Sequence, residues 1–381
     1  MKKLLKYIGF ALLLLIIAIN LFIVVTGKYY LYKTLAYNFV DIDDLNLFEY
    51  RVVKTEKGID WAQHQHYNKT KIPDYLLQEL VTNKSVAFVI IKKDSLYYDQ
   101  YWEGYTDSSL SNSFSMAKSI VSVLIGVAID EGKIKSMEEP VANYIPEFKE
   151  GDKAKITIKH LLTMSSGLDW DEAYANPVSE TSEAYYGTDL YGLVTKQKAI
   201  AEPGKNFIYQ SGNSELLALI IAKATGKTLS DYASEKLWKP LHAMHDVDWS
   251  LDRKDGNEKA YCCFYSNAKD FARLGSLYLH KGNWNGTQIV DSNYVKECVT
   301  PAQTLDNGKP NKTYGLHWWV DDYNGEQFFY MRGILGQYVV ALPKENIVFV
   351  RLGHKRAQKS TNGELMDLPV YIKGVLEMTN N

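Results

Sequence analysis

The sequence predicts an α+β fold. An antiparallel sheet flanked by helices takes its strands from both ends of the chain, and a mainly helical region is inserted between them. Two observations lead there. Stretches of strand character, residues 85–91 and 96–102 and then 327–331, 337–342 and 347–352, bracket the helical patterns. The first of those helices starts at Ser115 and is almost wholly apolar from Ile120 to Ala128. A helix apolar all round belongs in a domain interior. With 381 residues, 46% apolar and 23% charged, the chain can build one large domain or two smaller ones. Its formal net charge of -2 gives no reason to expect nucleic acid as a partner.

The N-terminus is different in kind. After Met1-Lys2-Lys3, the run from Tyr7 to Val25 is broken only by Gly9 and Asn20, close to the roughly 20 residues that span a bilayer. A cleaved signal peptide has a shorter apolar region ending at a small-x-small site, of which Val25-Thr26-Gly27 is a poor version. Residues 1–27 therefore read as a membrane anchor. Lys2, Lys3 and Lys6 before the span outweigh Lys28 and Lys33 after it, which keeps the N-terminus cytoplasmic and the rest extracytoplasmic, periplasmic in a Gram-negative cell. Residues 28–80, polar and aromatic without clear period, read as a stalk or wrapping segment, and residues 81–381 as the main domain.

The remaining elements follow in order. Residues 73–81 form a short helix, and Lys92-Lys93-Asp94 turns the first two strands into a hairpin. Residues 133–148, with Pro140 and Pro146, are a connection. Helices are expected at 158–164, at 214–224 with Gly226 as its end, and at 229–237. Phe271, Leu274, Leu277 and Tyr278 recur at helical spacing, which reads as an amphipathic surface helix capped by Ser266. Residues 314–320 read as a further strand, 343–346 as a turn and 369–378 as the last helix. Cys262, Cys263 and Cys298 give no disulfide framework. Because neighbouring cysteines rarely bridge, a bond from Cys298 to one of the pair and three buried thiols are the alternatives. No metal spacing appears: His64 with His66, and His242 with His245, lie in ordinary sequence.

The chemistry centres on Ser115-Met116-Ala117-Lys118. Ser-x-x-Lys puts the lysine one turn from the serine on the same helix face, at the head of a helix whose interior would penalise an unpaired ammonium. A lysine so placed finds a partner or gives up its proton, and beside a serine it can activate the hydroxyl. The bland reading makes Ser115 an N-cap. A second match, Ser266-Asn267-Ala268-Lys269, shows how common the pattern is. In the turn before the helix at Ser214, Tyr209, Ser211 and Asn213 alternate. Tyr209 could move a proton between the serine and a leaving group, or merely pack there. Gly333 and Gly336 interrupt a strand, marking either a bulge or a close approach to the backbone. Amide N–H groups at Ser115 and near Ile334 could then hold an oxyanion.

Ser115-x-x-Lys118, Tyr209-x-Ser211 and the glycine-bearing strand, in that order and at those separations, resemble the serine β-lactamase and penicillin-binding-protein superfamily. Within it the chain is most similar to class C β-lactamase-like hydrolases, which include esterases, D-amino-acid amidases and 6-aminohexanoate-dimer hydrolases. The phrases HLLTMSSGLDW, PGKNFIYQSGNSELLALIIAKATG and RGILGQYVVALP agree, and the likeness runs from about Ser85 onward. The resemblance implies a β-lactamase/DD-peptidase-like fold and no cofactor or metal. It makes Ser115 the acylated nucleophile, Lys118 its proton acceptor and Tyr209 the completing tyrosine. It puts the Ser115 and Ile334 N–H groups in the oxyanion hole, and Ser211, Tyr174 and Gly333 on the substrate. Where β-lactamases carry Lys-Thr-Gly this chain has Met331-Arg332-Gly333, so the lysine that helps hold a β-lactam carboxylate is missing, and strand alternation points Arg332 away.

Three functions are compatible with these residues. The first is a membrane-anchored serine hydrolase of esters or amides, acting on a small-molecule or peptide substrate. The second is a penicillin-binding protein or β-lactamase acting on cell-wall peptide or β-lactam. The third is a catalytically idle relative that binds peptidoglycan or a protein. An intact Ser115, Lys118 and Tyr209 argue against the third. No Gly-x-Ser-x-Gly elbow of an α/β-hydrolase occurs. Oligomeric state has no signature in the sequence.

Overall fold

The computed structural model describes residues 1–37, 39–358, 360 and 365–380. Its spine is a seven-stranded sheet. In chain order the strands are β1 (Ala62–Gln63), β2 (Ser85–Lys92), β3 (Ser95–Tyr101), β4 (Trp319–Tyr323), β5 (Glu326–Gly333), β6 (Gln337–Leu342) and β7 (Ile347–Gly353). They lie as β4-β5-β6-β7-β2-β3-β1, antiparallel except where β1 runs parallel to β3. The two ends of the chain therefore meet in mid-sheet, with Val89 of β2 opposite Val350 of β7.

Both β2 and β7 are buried on both faces, so their side chains are mostly apolar rather than alternating, the buried Arg351 donating to Ser85 Oγ at 2.9 Å. Ala87, Val89 and Ile91 face the larger core with Met331 and Val339. Phe88, Ile90 and Phe349 face a smaller one on the other side. The helices include α1 (Lys2–Thr26), α2 (Tyr30–Tyr37), α3 (Asp74–Thr82), α4 (Ala117–Asp130), α5 (Glu180–Tyr186), α6 (Ser211–Thr225), α7 (Ala268–Leu279) and α8 (Leu368–Thr379). Leu76 and Leu80 of α3, with Tyr371 and Val375 of α8, close the smaller core, and each leucine contributes about 2 kcal/mol by its burial. On the other face α7 lies close to the sheet because residue 275 is glycine. A Cβ there would stand 2.7 Å from Val348. In the inserted helical region α4 packs against α6.

Several elements differ from expectation. The helix around Phe271 is not on the surface: residues 268–278 are all buried. Its polar side is covered, and its charges are satisfied internally, Arg273 Nε donating to Asp270 Oδ1 at 2.9 Å. Its cap is Asn267, whose Oδ1 accepts from the Asp270 N–H at 2.9 Å, and not Ser266. Residues 314–318 turn instead of extending, with His317 at φ 60°, and the strand starts at Trp319. Helix α6 begins at Ser211, three residues early. Cys262 and Cys263 bridge each other while Cys298 stays a buried thiol, so neither cysteine expectation holds.

A second, four-stranded sheet joins Tyr50–Val53, Val247–Ser250, Phe264–Ser266 and Ser111–Asn112. Through its first strand and β1, residues 28–80 lie along the body, where Ile42, Val53 and Trp61 are buried.

Candidate active site

The turn that carries Ser115 is held from behind. Asn112 Oδ1 accepts from the N–H groups of Phe114 at 2.8 Å and Cys263 at 3.1 Å. The Ser113 N–H donates to the Phe264 carbonyl at 2.9 Å. Thus pinned, Phe114 adopts φ 43°, a conformation that costs a residue with a side chain about 1–3 kcal/mol. It ends the strand and starts a short 3₁₀ turn, Phe114–Met116, which runs directly into α4.

Lys118, in the first turn of α4, is 1% exposed. Its Nζ donates to Ser115 Oγ at 3.0 Å and to the Tyr261 carbonyl at 2.9 Å. The rings of Tyr209 and Tyr261 lie 5.0 and 5.5 Å from it, within cation–π range. Among the described residues no carboxylate pairs with it. Below this contact lies Glu215, buried in α6, whose Oε1 accepts from the Tyr261 N–H at 3.1 Å. Burial pushes its carboxyl up to about 8. His317, close by, is no base: Nδ1 meets the Leu162 carbonyl and Nε2 meets Ser214 Oγ, both at 2.9 Å. Burial, with Lys118 adding to it, lowers its pKa to about 3.

Tyr209 sits half-buried in the loop entering α6. Its ring stacks on Trp319 at 5.7 Å and meets Tyr314 edge-on at 6.0 Å. Among the described residues its hydroxyl has no hydrogen-bond partner, so it is available to a substrate. The Arg332 guanidinium lies flat on Trp319, 3.7 Å from the ring centre. Arg332 does face opposite to Gly333 on the strand, yet it joins the aromatic stack that includes Tyr209 instead of leaving the site.

Gly333 approaches the turn that carries Ser115 so closely that a Cβ would stand 2.4 Å from the Ser113 carbonyl oxygen. Only glycine fits there, which explains the interrupted strand. Ile334 follows in a short turn, Ile334–Gly336. Among the described residues, neither the Ser115 nor the Ile334 N–H has an acceptor outside its own turn.

Ser211 and Tyr174 meet, though on a residue the sequence did not flag. Glu172 accepts from the Ser211 N–H and hydroxyl and from the Tyr174 hydroxyl, each at 2.7 Å, and from Trp170 Nε1 at 2.8 Å. It sits at the N-terminus of α6, where a carboxylate is favoured. Ser211 is thereby occupied with structure, while the Tyr174 ring remains 53% exposed at the cleft. Three contributors were missed. Glu215 had a signal, a lone carboxylate leading the apolar run LLALII. Glu172 had a weak one, an acid two residues from Tyr174. Tyr261 had none, since it acts through its backbone carbonyl.

The Beta-lactamase family model matches residues 74–364. The chain is 27% identical over 304 residues to the 6-aminohexanoate-dimer hydrolase of Paenarthrobacter ureafaciens, covering 74% of this chain and 76% of that one. A Bacillus anthracis structure assigned provisionally to the same hydrolases superposes with a TM-score of 0.75 at 23% identity, over 89% of this chain and 92% of that one. A family VIII carboxylesterase superposes with a TM-score of 0.63 at 17% identity, over 84% and 98%. The last two likenesses establish the fold.

Proposed function

This chain belongs to the Beta-lactamase family, and from that footing we propose that it is a membrane-anchored serine hydrolase cleaving a carboxylic ester or amide through an acyl-enzyme on Ser115. The observation that carries the reading is the 3.0 Å contact between Lys118 Nζ and Ser115 Oγ. The lysine is buried with no carboxylate partner among the described residues. Its amine, at that distance, takes the proton as Ser115 attacks the substrate carbonyl.

Tyr209, its ring 5.0 Å from Lys118 Nζ, then passes a proton to the leaving group. The Ser115 and Ile334 N–H groups hold the developing oxyanion, each worth about 10²–10³ in rate. Water, activated by the same pair of bases, releases the acyl group. Tyr174 and the Trp319 wall contact the substrate, and Ser211 supports Tyr174 through Glu172. The mechanism requires no metal or cofactor. Lys2–Thr26 anchors the enzyme, with the catalytic domain, residues 81–381, extracytoplasmic and residues 28–80 wrapping it.

Separate assays with p-nitrophenyl esters, amino-acid anilides and a labelled penicillin test the reading. Turnover of an ester or anilide, without a lasting penicillin adduct, supports it. A stable penicillin adduct without turnover of either substrate would replace it with a penicillin-binding function.

A further inference from the structure

Helix α2 is apolar on two faces and covered on one. Its inner face is closed: Tyr30 and Leu31 are buried, and Tyr37 stacks on Tyr186 of α5 at 6.4 Å. Lys28, just ahead of the helix, pairs with Glu183 of α5 at 3.2 Å. The outer face presents Tyr32 and Leu35, with Tyr29 before the helix and Phe39 after it. These four are 42%, 60%, 59% and 81% exposed. Large apolar side chains gathered in this way mark a surface that meets something.

What it meets follows from the neighbouring helix. α1 is 25 residues long, and Leu12 to Ile17 are each at least half exposed. At 1.5 Å per residue it is about 37 Å long against a hydrocarbon core of about 30 Å, so its last turns reach the headgroup zone. α2 folds back beside those turns: the Tyr32 hydroxyl donates to Asn20 Oδ1 at 2.8 Å. Asn20 lies about 9 Å along the axis from the end of α1. With the excess length shared between the two ends, Tyr32 is thereby held about 5 Å inside the hydrocarbon edge, next to the boundary that tyrosine rings favour. The joint is not a loose tether. Ile23 is fully buried and Ile19 packs on the larger core.

We infer that α2 is an interfacial docking helix that seats the catalytic body on the phospholipid surface of the leaflet from which α1 emerges. Tyr29, Tyr32, Leu35 and Phe39 enter the boundary between headgroups and acyl chains, as the apolar face of an in-plane helix does. This rests on the membrane-anchor reading. One consequence concerns the cleft. The loop carrying Glu172 and Tyr174 runs directly into α5, on which α2 packs, so one wall of the site lies a single helix from the bilayer.

The test uses the full chain in vesicles of phosphatidylcholine and phosphatidylglycerol that contain a diazirine-bearing phospholipid. Photoadducts are mapped by peptide mass spectrometry. Adducts on residues 29–39 as well as 7–25 are expected. Adducts confined to 7–25 would overturn the docking role and leave the anchor standing, whereas none on 7–25 would remove both. A full-length variant with Tyr29, Tyr32, Leu35 and Phe39 all changed to serine should lose adducts on 29–39. It should keep those on 7–25 and keep esterase turnover. Retention of adducts on 29–39 in that variant would contradict the assignment of those four side chains.

Discussion

Two stretches of this chain read Ser-x-x-Lys, and the fold treats them differently. Ser115 lies inside a helical turn that continues into α4, so three residues of spacing bring Lys118 Nζ onto its hydroxyl. Ser266 is the last residue of a strand, and Asn267 after it is extended. The same spacing there crosses from strand to helix and the side chains part. Ser266 Oγ is buried without a hydrogen-bond partner among the described residues. Lys269 turns to carboxylates instead, Asp107 at 3.1 Å and Asp99 at 3.8 Å. Lys118 has a hydroxyl and a carbonyl for partners, whereas Lys269, with two aspartates, forms ion pairs.

The largest expected effect separates the two serines. Ser115→Ala should lower turnover by about 10⁴-fold or more, measured with the best p-nitrophenyl ester, whereas Ser266→Ala should stay within about twofold. Comparable losses in both would erase the distinction. The lysines should divide in kind. Lys118→Met should slow acylation by about 10²–10⁴, read by stopped-flow with a chromogenic ester. Lys269→Met removes the cation beside the nearly buried Asp99, to which Tyr67, Asn68 and Tyr101 still donate, and should instead cost about 1–3 kcal/mol of stability, read by urea unfolding, with acylation by the folded protein unchanged.

Tyr209→Phe sharpens the comparison, since the tyrosines near Lys269, Tyr67 and Tyr101, donate to its partner Asp99. It should cost about 10² in kcat with little change in the stacking on Trp319, so KM should hold. A drop in KM-dependent rates alone would make Tyr209 a wall and not a relay.

A pH-dependent effect comes from Glu215, which fixes the Tyr261 peptide that in turn holds Lys118. Its ordinary pKa is 4.5 and burial raises it to about 8 in the fold. Below pH 4.5 the carboxyl is protonated in both states and contributes no slope. Between 4.5 and 8 the unfolded chain has released the proton and the fold still holds it. Stability therefore falls as pH rises, by up to about 1.4 kcal/mol per pH unit, and levels off above pH 8. Glu215→Gln should flatten that part of the profile in thermal unfolding. An unchanged slope would show that Glu215 titrates normally.

Much of this was legible in the sequence. The strands at both ends, the hairpin around Lys93 and the apolar helix after Ser115 follow from local pattern, because a fully buried strand or helix announces itself by unbroken apolar runs. The helix around Phe271 was misplaced for the complementary reason. A polar stripe looks the same whether it faces water or, like Asp270 and Arg273, a covered ion pair. The spacing Ser115 to Lys118 was readable, but its difference from Ser266 to Lys269 was not, since it depends on where a strand stops. Glu172 and the Tyr261 carbonyl reach the site across 39 and 143 residues of sequence, and no local pattern encodes such contacts.

The most direct measurement is the intact mass of the full chain after a fluorophosphonate, alongside Ser115→Ala and Ser266→Ala. One adduct on the wild type, mapped to residue 115, absent from Ser115→Ala and retained by Ser266→Ala, is the predicted result. An adduct that survives in Ser115→Ala, or none on the wild type, would contradict the assignment of Ser115 as the activated nucleophile.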